Sequence, residues 1–459
     1  MFTSWSIAFL LLPVANAQRV GTYSNESHPP IRWSRCTAPG SCNPIAGSLV
    51  VDADMRWIHE AEGWRSCFSD GNWDYKICNN EASCTRNCVL EGVDKSNYKD
   101  SYGITTAHDS VSLKLRTCAN FACNVGSRVF LLDEEDTKYQ TFVLLGNEFA
   151  FDVDLSTVEC GINSALSFVA MDADGGMERF PTNEAGARYG TGYCDAQCPM
   201  SGRFVGGKAN CEGWRPSATD PVSGAGLYGS CCPEFGLWNS NSHSYSMSSH
   251  TCPHDGFKVC ETYDCETFFN TQDRHYMSQC DPYGCNYNPT RMGVPGFYGK
   301  GKTVDTSRNF TVITRFAEDR VYQIFVQDGK RIDTPAPEWE GLPKESGLSD
   351  EICIKSLPVF GEENLSRYAR NGGWNTHKKV LSRPMVLAMS ISTDHWAHNL
   401  WIDGVFPPEG SGWDGVPGQV RGDCPLDGSE PAAVELNNPR AKVTWSNIRF
   451  GPIGSTLVL

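Results

Sequence analysis

Residues Gly229–Asn241 read G-S-C-C-P-E-F-G-L-W-N-S-N. Residues two apart in a strand share a face, so Glu234 and Gly236 point the same way. Asn239 lies three positions further on. From that odd spacing it reaches the same face only if a β-bulge or a strong twist intervenes. With such a bulge the stretch would place a carboxylate, a glycine and a carboxamide together on one side of a strand.

The surrounding chain is that of an exported protein. Met1–Ala17 has an apolar core and ends A-N-A, the small-x-small pattern of a cleaved secretory signal, although no Lys or Arg precedes the apolar run. The run is too short to span a bilayer. Cleavage leaves Gln18 first, and no later stretch is apolar enough to cross a membrane, so the mature chain is expected to be soluble and extracellular. The 21 cysteines then imply a disulfide framework. Asn25, Asn309 and Asn364 head N-glycosylation sequons. A net charge of −15 disfavours nucleic acid and other polyanions and suits a neutral ligand. The 13 tryptophans are core residues by default, but a few exposed along a groove would stack on the apolar faces of sugars.

Alternating stretches rich in Val, Ile, Phe and Thr recur between Gly-, Asn-, Asp- and Pro-rich breaks. They include 47–52, 111–115, 129–132, 141–145, 149–153, 167–171, 310–316, 321–327, 386–391 and 441–450. Helices should be few and short, with Asn80–Val89 one candidate. No linker, low-complexity run or internal repeat divides residues 18–459, which read as one all-β domain with long functional loops.

Several longer motifs resemble glycoside hydrolase family 7, the secreted cellobiohydrolases and endo-β-1,4-glucanases. They are Leu144–Phe149 (L-L-G-N-E-F), Met171–Gly176 (M-D-A-D-G-G), Gly190–Pro199 (G-T-G-Y-C-D-A-Q-C-P) and Phe450–Ser455 (F-G-P-I-G-S), together with the Cys-Cys-x-Glu frame of the opening stretch. The resemblance covers essentially Gln18 to Gly454. It implies a concanavalin-like β-jelly roll, two curved antiparallel sheets face to face, with a cellulose chain along the concave sheet beneath roofing loops. The segments 212–230 and 262–279 resemble the tunnel roofs of cellobiohydrolases rather than the trimmed loops of endoglucanases. The family pattern implies the pairs Cys36–Cys42, Cys67–Cys88, Cys78–Cys84, Cys160–Cys424, Cys194–Cys232, Cys198–Cys231, Cys252–Cys280, Cys260–Cys265 and Cys285–Cys353. Cys118 and Cys123 are candidates for a local bridge, and Cys211 is left over, buried and inert. A further family bridge is missing at both of its positions, Gly21 and Val89. No carbohydrate-binding module follows Gly454, and no metal or cofactor is implied.

In the family the strand reads C-C-x-E-x-D-x-x-E. Glu234 thus holds the nucleophile position, Gly236 replaces the helper aspartate, and Asn239 replaces the acid/base glutamate. Retaining hydrolysis needs two carboxyls roughly 5–5.5 Å apart, and a carboxamide has no proton of the needed acidity. Asn163, Tyr193, Asp195, Gln197 and His250 match groove residues near the catalytic centre. Arg274 and Arg421 resemble arginines on product-side sugars, and Trp57 and Trp401 tryptophans that stack on glucose. Ser392 and Met55 stand where the family has tryptophans, Ser167 where it has a tyrosine, and Tyr283 where it has an aspartate. Three readings follow. The chain is a monomer that binds β-1,4-glucan with hydrolysis lost or strongly impaired; or it is an active glucanase with a substitute donor such as His243 or His250; or it is a non-catalytic interaction or decoy protein.

Overall fold

The structure, a computed structural model, describes residues 18–457 apart from 120–121, 266–268, 271–274, 277, 364–365 and 413. The signal segment 1–17, the sequon asparagine at 364 and the candidate Arg274 lie outside the described residues.

Twelve strands position the site: β1 (Pro30–Ala38), β2 (Ser41–Val51), β3 (Ser127–Leu132), β4 (Asn147–Asp154), β5 (Asn163–Val169), β6 (Glu234–Ser240), β7 (Tyr245–His250), β8 (Cys285–Tyr287), β9 (Phe310–Phe316), β10 (Arg320–Gln327), β11 (Met385–Ser392) and β12 (Lys442–Pro452). They belong to one continuous ladder of 17 strands that folds back on itself. One layer runs β8–β7–β6–β5–β11–β3–β2 and the other β12–β4–β9–β10, antiparallel throughout. Strand β1 joins the layers, antiparallel to β2 and parallel to β12.

Period-two patterning builds both faces of the first layer. Phe168 on β5 and Phe235 and Trp238 on β6 point into the core, where they meet Phe149, Phe316 and Phe151 of the second layer at ring-centroid distances of 5.2, 5.2 and 5.9 Å. These are edge-to-face contacts that add to the hydrophobic gain. The opposite face carries small residues, among them Ala165, Ser167, Ser246, Ser248 and Ser390, and forms an open floor.

Every alternating stretch singled out in the sequence overlaps an observed strand. The stretch at 167–171 begins earlier than expected, at Asn163, because the polar and small residues 163–165 already pair with β6 and β11 in the middle of a sheet. The helix expected near Asn80 spans Glu81–Asn87, and the Asn80 side chain accepts from Ser83 N at 2.8 Å in a capping box. Helices at Asp350–Val359 and Gly373–Leu381 were not foreseen.

The nine bridges implied by the resemblance are all present, Cys118–Cys123 is a tenth, and Cys211 is free and buried. Where the further family bridge is missing, a Cβ on Gly21 would lie 2.1 Å from Glu91 Oε2, whose carboxylate is paired with His59 at 2.7 Å. A buried polar pair thus fills that space.

Candidate active site

Strand β6 carries the bulge that the odd spacing called for. Glu234 pairs with His250, Gly236 with Ser248 and Asn239 with Ser246, with a register shift between the last two pairs. The same shift appears on the other side, between Leu166 and Ser167 of β5. The bulge turns both Leu237 and Trp238 into the core, where each is fully buried. Glu234, Gly236 and Asn239 are thereby left on the groove face.

Above this floor lies a cavity of about 530 Å³. Of the residues singled out in the sequence, Asn163, Tyr193, Asp195, Gln197, Glu234, Asn239, His250, Trp401 and Arg421 line it. Trp57 does not. It is half-buried, stacked on His59 at 4.2 Å, and its Nε1–H donates to Ser66 Oγ at 2.8 Å. His395 Nδ1 lies 3.0 Å from Thr219 O, linking the segment 212–230 to the loop after β11. Neither 212–230 nor the described part of the other expected roof, 262–279, lines the cavity; residues 266–268, 271–274 and 277 of the latter lie outside the described residues. Trp214 anchors the base of the first loop by donating to Gly71 O at 2.8 Å.

Each catalytic-position side chain has specific partners. Ser167, on the neighbouring strand, donates to Glu234 Oε1 at 2.9 Å. Asn163 Nδ2 donates to Asn239 Oδ1 at 3.1 Å, while its own Oδ1 accepts from Ser240 N. That fixes the Asn239 amide with its oxygen toward Asn163. Gly236 has no positive φ that would demand glycine. A Cβ there would instead lie 2.4 Å from Ser248 Oγ and 2.9 Å from Asn239 Nδ2. The Ser248 hydroxyl occupies the space an aspartate would need.

Asp195 accepts from the Tyr193 hydroxyl at 2.8 Å and from Gln197 N at 2.8 Å. Burial, and next the charge of Glu234, push its pKa up to about 6. His250 is held at both nitrogens: Nδ1 lies 2.9 Å from Asp281 O and Nε2 2.9 Å from Ser248 Oγ. A carbonyl can only accept, so Nδ1 carries a proton, and Nε2 is engaged by the Ser248 hydroxyl. His243 lies outside the cavity lining, between Asp423 at 2.8 Å and Glu159 at 3.2 Å.

Some cavity residues were not identified from sequence. Asp394 accepts from Trp396 N, Ala397 N and Trp401 Nε1 at 2.8, 3.0 and 3.1 Å, so one carboxylate fixes both tryptophans. Trp396 itself is 76% exposed and lines the cavity. The Asp-x-Trp-Ala spacing of such a turn was the available signal. Ser248 and Asn286 enter through cross-strand register, which leaves no local trace in the sequence.

A face-to-face β-sandwich with a groove across one sheet and a glutamate in its floor is the glycoside hydrolase type of architecture that the sequence motifs implied. The chain belongs to glycosyl hydrolase family 7, whose family model matches residues 20–457. Among solved structures it is similar to a GH7 cellobiohydrolase from Daphnia pulex, with 37% identity, a TM-score of 0.92, and coverage of 96% of this chain and 100% of that one. It is also similar to the cellobiohydrolase from Melanocarpus albomyces complexed with cellotetraose (49%, 0.90, 96% and 99%) and to the Humicola insolens endocellulase EGI (32%, 0.78, 96% and 100%).

Proposed function

We propose that this chain is a secreted, monomeric, cofactor-independent member of its family that binds a β-1,4-glucan chain, cellulose or a cello-oligosaccharide, in the groove, and whose retaining hydrolysis is lost or strongly impaired. The observation that carries this reading is Asn239, a carboxamide pinned by Asn163 where a proton donor is needed. Glu234 keeps a hydrogen-bonded place in the floor and lines the cavity from which it would attack an anomeric carbon. Departure of a sugar alkoxide without protonation is the step that suffers, since positioned proton transfer typically contributes about 10²–10⁴-fold.

A substitute histidine donor fits less well. Both ring nitrogens of His250 are already engaged, by Asp281 O and Ser248 Oγ, and His243 faces two carboxylates elsewhere. A decoy with an empty groove also fits less well, because the lining retains Trp401, Asn163, Asp195, Gln197 and Arg421.

The test is soluble sugar release from amorphous cellulose by the wild type and by the Gly236→Asp/Asn239→Glu double variant, alongside calorimetry with cellohexaose. The reading expects heat of binding in both proteins and turnover in the variant alone. Comparable turnover in the two proteins overturns the loss of hydrolysis, and an absence of binding heat favours the decoy.

A further inference from the structure

The end of the cavity beside β8 carries a positive charge that its own partners only half satisfy. Arg421 is 3% exposed and lines the cavity. Its guanidinium meets Tyr283 Oη at 3.3 Å, Phe406 O at 3.4 Å, Asn286 Oδ1 at 3.5 Å and Glu362 Oε1 at 3.6 Å. Charge-assisted hydrogen bonds of guanidinium to oxygen are normally about 2.7–2.9 Å long, so every one of these contacts is loose. Glu362 is committed elsewhere. Its Oε2 accepts from Arg291 at 2.5 Å, and its Oε1 accepts from the Tyr283 hydroxyl. Among the described residues, then, one carboxylate serves two buried guanidinium ions. Burial, and next the charge of Arg291, lower the proton affinity of Arg421, as expected of a cation short of counter-charge. Asp281, two residues before Tyr283, does not make up the deficit: its oxygens accept from Gly284 N and Ser366 Oγ, and burial raises its pKa.

The remaining carboxylates of the lining lie toward the catalytic strand or are engaged. Asp394 is taken up by Trp396, Ala397 and Trp401. Glu234 and Asp195 belong to the β6 side. Asn286, the Arg421 contact, pairs with Ser248, which pairs with Gly236. That is two strand spacings, roughly 10 Å, from the catalytic strand, about one screening length at physiological salt. The groove is thus polarised, acidic at its centre and cationic at this end.

We propose that this end of the groove binds a carboxylate, and that the preferred ligand is a cello-oligosaccharide whose terminal unit carries one, either an aldonate at C1 or a uronate at C6. The proposal rests on the glucan-binding reading above and adds the identity of the end group. A carboxylate presents two acceptor oxygens to the planar guanidinium fork, a match that a sugar hydroxyl lacks. The net charge of −15 opposes approach of any anion from a distance. The preference is therefore local and shows in equilibrium affinity rather than in association rate.

The experiment is calorimetric titration of the full chain at pH 7 with cellobiose, cellobionate and cellobiouronate. One or both acids should bind at least about tenfold more tightly than cellobiose, the size of effect that a single desolvated charge pair supplies. The tighter of the two acids locates the carboxylate, on the open end unit or on the ring. Tyr283→Asp, which sets a carboxylate beside Arg421, should bring the affinity ratio toward one, and Glu362→Gln, which removes one, should widen it. Either variant suffices if the other does not fold. Cellobiose binding with no preference for the acids overturns this proposal alone, as does a preference that neither variant moves. Failure of all three ligands to bind overturns it together with the glucan-binding reading.

Discussion

Replacing Asn239 by glutamate should return the missing proton transfer, and the register of β6 says how well the restored acid fits. Glu234 faces His250 and Asn239 faces Ser246, so four residues of β7 span the two positions. At about 3.4 Å per residue their Cα atoms lie roughly 14 Å apart. A glutamate carries its carboxyl about 4 Å from Cα, from ordinary bond lengths. Two such side chains leaning together leave roughly 6 Å between carboxyls, close to the retaining separation of about 5–5.5 Å and short of the inverting range. Aspartate at 239 is one bond shorter and leaves the gap too wide.

Proton donation of about 10²–10⁴-fold corresponds to roughly 3–5 kcal/mol of barrier. Two substrates, cellotetraose and a dinitrophenyl cellobioside, separate this term from the rest. Asn239→Glu should raise kcat/KM on cellotetraose by about 10²–10⁴-fold and on the aryl substrate by less than about tenfold, because a phenolate leaves without help. Asn239→Asp should gain much less on either. If Asn239→Glu binds cellotetraose and still shows no gain, or if both substrates gain equally, the assignment of Asn239 to the donor position is wrong.

Asp195, raised to about 6 by burial and by Glu234, favours the native state below its unfolded value near 3.9 and loses that contribution as pH rises through about 6. Asp195→Asn should therefore raise the thermal midpoint at pH 8 and change it little below pH 4; equal gains at both pH values would contradict this. Glu26 has the opposite sign. Burial opposes its ionisation, but hydrogen bonds from His28 and Arg56 outweigh burial and hold it at about 2. Its contribution, about 3 kcal/mol by linkage, is present above pH 4.5 and lost as pH falls through about 2. Urea midpoints of Glu26→Gln should thus fall less steeply over that interval than those of the wild type, and parallel curves would refute the pairing. Removal of the Cys160–Cys424 bridge, which spans 264 residues, releases the most chain entropy. The chain-entropy treatment puts an upper figure of about 5–6 kcal/mol on that loss. A double serine variant with unchanged denaturant stability would rule out a stabilising role.

The strands were legible because alternation of β-branched and aromatic residues with small polar ones reports which side of a sheet is buried. The β-bulge of β6 was legible from the spacing of Glu234 and Asn239 once the resemblance placed both residues in one groove. The bridges came from the resemblance, since spacing does not choose among pairings. Local patterns failed where partners are remote. The start of β5 was missed because Asn163 and Ser164 are buried by neighbouring strands rather than by their own hydrophobicity. The helix at Gly373–Leu381 has no side-chain cap to announce it. The link between Arg421, Tyr283, Arg291 and Glu362 joins residues up to 138 positions apart, and nothing near any of them predicts the other three.

Trp238 is stacked on Tyr245 at 4.8 Å and ringed by Phe151, Tyr298, Phe310 and Phe325. The offset that aims position 239 into the groove is therefore locked from beneath, by residues buried away from the cavity. Whatever side chain stands at 239, the packing beneath the strand holds it at the same place above the floor.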